Sequence, residues 1–147
     1  MKHLIPDEIM STAELIPLIQ KPATPGERLE MWAKALERHA GPLNALRRLE
    51  HLSPDELRAY RGSNTPLTVA FNDPTLRAEG LKGDSLGDAM EFFDLTHRDT
   101  HWMLCDCHYN GTMTGTGLAK LLRQHVRGAE RRARWARTFR RLVGWAA

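Results

Sequence analysis

Residues 24–39 read Thr-Pro-Gly-Glu-Arg-Leu-Glu-Met-Trp-Ala-Lys-Ala-Leu-Glu-Arg-His, and this stretch has the pattern of an amphipathic helix. Its apolar side chains recur at spacings of three and four residues, which places them on one helix face. They are Leu29, Trp32, Ala33 and Leu36. A face of this width needs a second apolar surface to cover it, so the stretch predicts a helix over residues 25–39 that packs into a core.

Signals for helix starts recur on both sides of this stretch. A hydroxyl residue followed three positions later by an acid is typical of a capped N-terminus, and residues 11–14, 24–27, 53–56 and 96–99 all show it. Apolar spacing then predicts a short helix at residues 43–52, another at 54–61 and helical turns after 66 and 73. It also predicts a helical hairpin in 84–105, a loop over 106–115 and a last long helix from about residue 116, which Gly128 could break.

Length and composition set the fold class. The chain has 147 residues, of which 41% are hydrophobic and 27% charged, and such values suit one globular domain and exclude a disordered or fibrous protein. We predict a single compact all-α domain: about five to seven short helices in an orthogonal bundle, with a long basic C-terminal helix. The predicted parts are an N-terminal docking arm and linker (1–24), a helical domain (25–127) and a basic amphipathic C-terminal helix (128–147).

The cysteine content and the N-terminal sequence predict a cytoplasmic protein, and residues 88–111 resemble segments of small bacterial helical proteins. The only two cysteines, Cys105 and Cys107, are one residue apart, so a disulfide between them would close a very small ring and reduced thiols are the simpler interpretation. The N-terminus lacks the apolar stretch of a secretory signal. The sequence also contains no run of about 20 apolar residues, so we predict no transmembrane segment.

A cluster of metal-ligating residue types lies at residues 97–108. His101 and Cys105 are four residues apart, a spacing that places two side chains on one helix face, and Cys107 and His108 follow where the helix ends. His97 is about 12 Å of helical rise from Cys105 and is left out. Two cysteines and two histidines suit Zn²⁺. The sequence therefore predicts a metal site at His101, Cys105, Cys107 and His108, with zinc as the cofactor, although the spacing is not a standard zinc signature. The alternative is that these residues belong to the core or cap the helix end.

Two other interpretations of this segment are open. The hairpin has the length of a helix-turn-helix, but Asp99 and Asp106 would repel DNA phosphates, so we favour two packed helices of a bundle. The second interpretation is an enzyme that uses Cys105 or Cys107 as its nucleophile. The sequence shows no orienting third residue for it, so a non-enzymatic protein is favoured.

Positive charge is concentrated at the C-terminal end. Residues 119–147 hold nine Lys or Arg and one acid, a charge of +8, whereas residues 1–118 carry −5. The predicted helix interleaves arginines with aromatic residues, a composition typical of segments that lie on a membrane surface, in a partner's groove or along nucleic acid. The predicted partner-binding residues are Arg131, Arg132, Arg134, Trp135, Arg137, Phe139, Arg140 and Arg141.

These patterns lead to two hypotheses of function. The first is a small non-enzymatic binding or regulatory protein whose basic C-terminal helix engages an anionic partner: nucleic acid, an acidic protein surface or a membrane surface. The alternative is a zinc-type metal-binding protein, structural or catalytic, built on the His/Cys cluster at 101–108. A third possibility for the basic helix is structural, with its aromatic residues packed on the body and its arginines paired with the body's acids.

Overall fold

A computed structural model describes residues 21–109 and 112–146. Within them the chain is mostly helical, with one small two-stranded sheet, which confirms the all-α class. The helices are α1 (Pro25–Arg38), α2 (Pro54–Ala59), α3 (Pro66–Asn72), α4 (Pro74–Ala78), α5 (Leu86–Phe93), α6 (His97–Leu104) and α7 (Gly115–Ala146). The strands are β1 (Pro42–Asn44) and β2 (Thr112–Thr114), and two 3₁₀ turns cover Leu49–His51 and Asp106–His108.

Helix α1 lies at the centre of the fold. The hydroxyl of Thr24 accepts a hydrogen bond from the Glu27 amide, and Pro25 takes the first helical position, which has no need of an N–H. All four apolar residues predicted for its inner face are buried. Trp32 stacks on the ring of Phe93 at 4.5 Å between centroids and donates its indole N–H to the carbonyl of Pro66. The predicted helix is confirmed, and it ends at Arg38 rather than at residue 39.

The predicted helix at residues 43–52 is wrong. Its leucines are buried, but the segment forms β1 and a 3₁₀ turn, and β1 pairs antiparallel with β2 so that Leu43 lies opposite Met113. The backbone N–H of Leu46 donates to the carbonyl of Leu104 instead of to a neighbour in a helix. The leucines therefore recur every three residues because each one contacts the core separately, and not because they share one face of a helix. The same pairing corrects the loop expected over 106–115, which contains a 3₁₀ turn and β2.

The short helices follow their capping signals. Ser53 and Glu56 form the reciprocal capping box of α2, and Thr96 and Asp99 form that of α6. The helical turns predicted after residues 66 and 73 are α3 and α4. The predicted hairpin is confirmed as α5 and α6, and Asp94 between them adopts a left-handed conformation with φ of 54°. This turn lets α6 pack back onto the body and fixes the position of the residues that follow it.

Helix α7 is continuous over 32 residues, so Gly128 does not break it. Its first part packs on α1 through Leu118, Ala119 and Leu122, all of which are buried. The two parts of the chain that were predicted to meet at residue 128 are therefore joined by one helix. They differ in how far the side chains of that helix are buried. Residues 1–20 of the predicted docking arm lie outside the described residues.

Candidate functional site

The His/Cys cluster lies where α6 ends. His101 is in the last turns of α6, and Cys107 and His108 belong to the 3₁₀ turn that follows. The chain between them is held in place by backbone hydrogen bonds to Leu46, which donates to the carbonyl of Leu104 and accepts from the amide of Asp106, both at 2.8 Å. These bonds tie the end of α6 and the start of the 3₁₀ turn to the segment that contains Leu46.

Three of the four predicted ligands come together. Possible ligand atoms of His101, Cys107 and His108 all lie within 4.8 Å of one another. The Sγ of Cys107 is 3.7 Å from Nε2 of His101, and the rings of His101 and His108 are nearly perpendicular with centroids 5.4 Å apart. Cys107 and His108 are exposed and His101 is half-buried, so an ion could reach this group from solvent.

The fourth predicted ligand, Cys105, belongs to a second group, in which possible ligand atoms of Cys105, His101 and Glu50 lie within 4.8 Å of one another. Its side chain is buried, and its thiol donates to Oε2 of Glu50 and to Oδ1 of Asp106, each at 3.6 Å. Burial raises the pKa of the Cys105 thiol to about 12, so this sulfur is held as a neutral thiol at pH 7. That state also makes it a weak nucleophile, since the thiolate is the reactive form.

Glu50 is the residue that the sequence did not reveal. It lies in the 3₁₀ turn Leu49–His51, and its Oε2 is 3.6 Å from Nε2 of His101. A hydrogen bond from its own backbone N–H lowers the pKa of this carboxyl, and the Cys105 thiol and the imidazoles of His51 and His101 lower it further. Glu50 is 55 positions from Cys105 in the chain, and only the burial of the neighbouring leucines brings the two together.

The second candidate site is the end of α7. From residue 131 to 144 every side chain is exposed except that of Ala136, which is half-buried. Trp135 is 69% exposed and Phe139 51%, and their rings stack on each other at 5.3 Å. The aromatic residues therefore do not pack on the body. In the part of the chain that the structure describes, the six arginines of this segment form no ion pair either.

Apolar and basic residues occupy opposite faces of this exposed segment. At about 100° per residue, the apolar residues cover an arc of about 100°; they are Trp135, Phe139, Leu142 and Val143. The arginines at positions 134, 137, 140 and 141 lie on the other side. We call residues 134–146 the C-terminal arm. At 1.5 Å per residue it is about 20 Å long, and it presents an apolar face and a cationic face at once.

Comparisons with protein families, with characterised proteins and with solved structures gave no match for this chain. Among the described helices, none combines the length and the apolar character that crossing a bilayer requires. The two sites must therefore be interpreted from their own chemistry.

Proposed function

We propose that this protein is a non-enzymatic binding protein whose C-terminal arm binds an anionic partner, and that this partner is the surface of an anionic lipid membrane. The observation that carries the proposal is the exposure of the arm's apolar face, with Trp135 at 69% and Phe139 at 51%. Exposed apolar surface on an otherwise well-packed protein marks a site of interaction.

The separation of the two faces favours a membrane over nucleic acid. Phosphates of DNA or RNA would neutralise the arginine face and leave the opposite apolar face in water, because the two faces point in different directions. The surface of an anionic bilayer offers lipid phosphates to the arginine face and acyl chains to the apolar face. The ring of Trp135 and the side chain of Leu142 enter the acyl boundary, while the arginines reach back to lipid phosphates.

The distribution of charge in the chain fits this orientation. The arm carries four arginines and no acid, a charge of +4, whereas all other residues of the chain together carry −1. An anionic surface therefore attracts the arm rather than the rest of the protein. The cytoplasmic location, which stays a prediction, would expose the arm to anionic phospholipids of the inner leaflet.

Vesicle flotation tests the proposal. The intact chain is mixed with vesicles of phosphatidylcholine alone or with one third phosphatidylglycerol, and the bound fraction is measured at low and high salt. We expect binding to the anionic vesicles only, weakened by salt, with a blue shift of tryptophan fluorescence. Replacing Arg137 and Arg141 with glutamine should weaken binding about 30-fold, since each cation near such a surface contributes about 1 kcal/mol.

Two matched substitutions in the body serve as controls. Arg98 is an exposed arginine on α6, and Trp102 on the same helix is 50% exposed. Arg98→Gln and Trp102→Ala should leave vesicle binding unchanged, whereas Trp135→Ala should reduce it. Equal binding to neutral and anionic vesicles, or equal loss in the body variants, would contradict the proposal. Absence of vesicle binding together with tight binding to single-stranded DNA or to an acidic peptide would assign the arm to that partner instead.

A further inference from the structure

We propose that His101, Cys107 and His108 bind one Zn²⁺ ion and that the carboxylate of Glu50, not the thiol of Cys105, supplies the fourth ligand. This site is separate from the C-terminal arm. It rests on the distances within the cluster and on the chemistry of the four side chains.

The distances match the edges of a tetrahedral zinc site. With Zn–N near 2.0 Å and Zn–S near 2.3 Å, the nitrogen and sulfur ligands of a tetrahedron are about 3.6 Å apart. Nε2 of His101 and Sγ of Cys107 are 3.7 Å apart. The remaining pairs of this group lie within 4.8 Å. The exposed side chains of Cys107 and His108 can therefore close onto an ion by small rotations, without movement of the backbone.

Glu50 lies beside His101, and its exposed carboxylate would turn towards Cys107 and His108 to complete the shell. A nitrogen and an oxygen ligand of the same tetrahedron are about 3.3 Å apart, and Oε2 of Glu50 is 3.6 Å from Nε2 of His101. Its side chain is 46% exposed and so has room to turn towards Cys107. A carboxylate needs to lose no proton when it binds a metal at neutral pH, and it offsets the charge of the ion.

Cys105 is a poor fourth ligand because its side chain is buried. Its sulfur lies against the carboxylates of Glu50 and Asp106, each at 3.6 Å. It has no room to rotate towards the exposed side chains of Cys107 and His108, whereas the carboxylate of Glu50 is itself exposed. The ligand set of two nitrogens, one sulfur and one oxygen selects zinc over magnesium or calcium, which bind oxygen ligands.

The proposed ion would join two regions that are distant in the chain, the turn that holds Glu50 and the end of α6 with the turn after it. Glu50 lies in the first 3₁₀ turn, His101 in α6 and Cys107 in the second 3₁₀ turn. An ion that links these segments restricts their separation. Because it binds to the folded state alone, it also raises the melting temperature. Because three of the four ligands are exposed, namely Glu50, Cys107 and His108, a strong chelator should remove the ion without denaturing the protein.

The test uses the full chain, expressed in zinc-supplemented medium and purified without an affinity tag. Metal content is measured by mass spectrometry. The chelator-treated protein is then titrated with Co²⁺, which gives visible absorption in a tetrahedral site and a thiolate-to-cobalt band in the near ultraviolet. We expect one equivalent of zinc, a cobalt spectrum with the thiolate band, and a melting temperature several degrees lower after chelation.

Substitutions assign the ligands. Cys107→Ala should abolish the thiolate band and weaken zinc affinity by roughly 100-fold or more, beyond the 10–100-fold typical of losing an outer-shell partner. Glu50→Gln should keep the thiolate band and weaken affinity at least 10-fold. His97→Ala is the matched control: His97 is an exposed histidine on the same helix outside the cluster, and its loss should change nothing. Far-UV circular dichroism verifies that each variant is folded.

Each other result overturns part or all of the proposal. Protein that neither retains zinc nor binds Co²⁺ shows that there is no site. A thiolate band that survives in Cys107→Ala and disappears in Cys105→Ala assigns the sulfur ligand to Cys105. Unchanged affinity in Glu50→Gln removes the fourth ligand. No vesicles are used, so these results are independent of the membrane proposal.

Discussion

Single residues decide how closely α7 approaches the centre of the fold. Gly115 begins α7 directly against the backbone of Leu36 on α1. A methyl group at this position would overlap with the carbonyl oxygen of Leu36 and lie 2.9 Å from its carbonyl carbon. Backbone atoms cannot move aside as the end of a flexible side chain can. The absence of a side chain at Gly115 is therefore what allows α7 to pack on α1.

We expect Gly115→Ala to lower the free energy of unfolding by about 2 kcal/mol or more, since overpacking a tight site typically costs 1–3 kcal/mol. Gly128→Ala in the same helix is the control. A Cβ there would meet only the end of the Arg132 side chain, at 3.5 Å, so it should stabilise the protein by about 0.5–1 kcal/mol through helix propensity. Urea denaturation of both variants measures the two effects, and equal signs would refute this interpretation.

Between helices, one charged cluster joins α7 to α1. The guanidinium of Arg123 donates to the carboxylates of Glu30 and Glu37, with nitrogen–oxygen distances from 2.7 to 3.3 Å. The hydrogen bond from Arg123 is the largest cause of a lowered pKa at Glu37, and the charges of Arg123 and Lys34 act in the same direction. The two carboxylates in turn raise the pKa of Arg123.

This cluster predicts a pH dependence of stability. Because the pKa of Glu37 is lower in the folded state than its ordinary value of 4.5, its contribution is complete above that value and is lost as pH falls through the folded pKa. The difference in stability between the wild type and Glu37→Gln should therefore be constant from about pH 6 to 7 and shrink below about pH 4. Urea denaturation across this range measures it. A difference that grows on acidification would contradict the assignment.

Local patterns predicted most of the helices but not the sheet. The start of α6 was predictable because Thr96 and Asp99 satisfy its first amides within four residues. The antiparallel contact of Leu43 with Met113 was not, because it joins segments 70 positions apart and the same leucine spacing also suits a helix. The candidate metal site was predictable in part. His101, Cys107 and His108 are close together in the sequence, whereas Glu50 is far from them and no local pattern connects it to the cluster.

In the whole molecule, the buried core and the C-terminal arm are separate parts. The last fully buried residue of α7 is Leu122, and the side chains of residues 137–144 are all exposed. The arm therefore contributes little to the free energy of folding. It is available for binding at no cost to the core.

Deleting residues 134–147 should leave the free energy of unfolding unchanged within about 0.5 kcal/mol, as for surface changes that remove no buried contact. The same deletion should abolish binding to anionic vesicles. Thermal unfolding followed by circular dichroism, beside vesicle flotation, separates the two. If the truncated chain melts at a much lower temperature, the arm is part of the core and the proposed function fails.

The amino-acid sequence alone determined the helical class, most of the helix starts and the cationic, aromatic character of the last helix. These properties depend on residues within a few positions of one another, where spacing and capping groups act directly. Tertiary structure decided that residues 42–44 form a strand, that Glu50 lies beside His101, and that Trp135 stays exposed. Each of these depends on which distant surfaces meet, and that choice follows from burying the whole set of leucines and aromatic residues in one core.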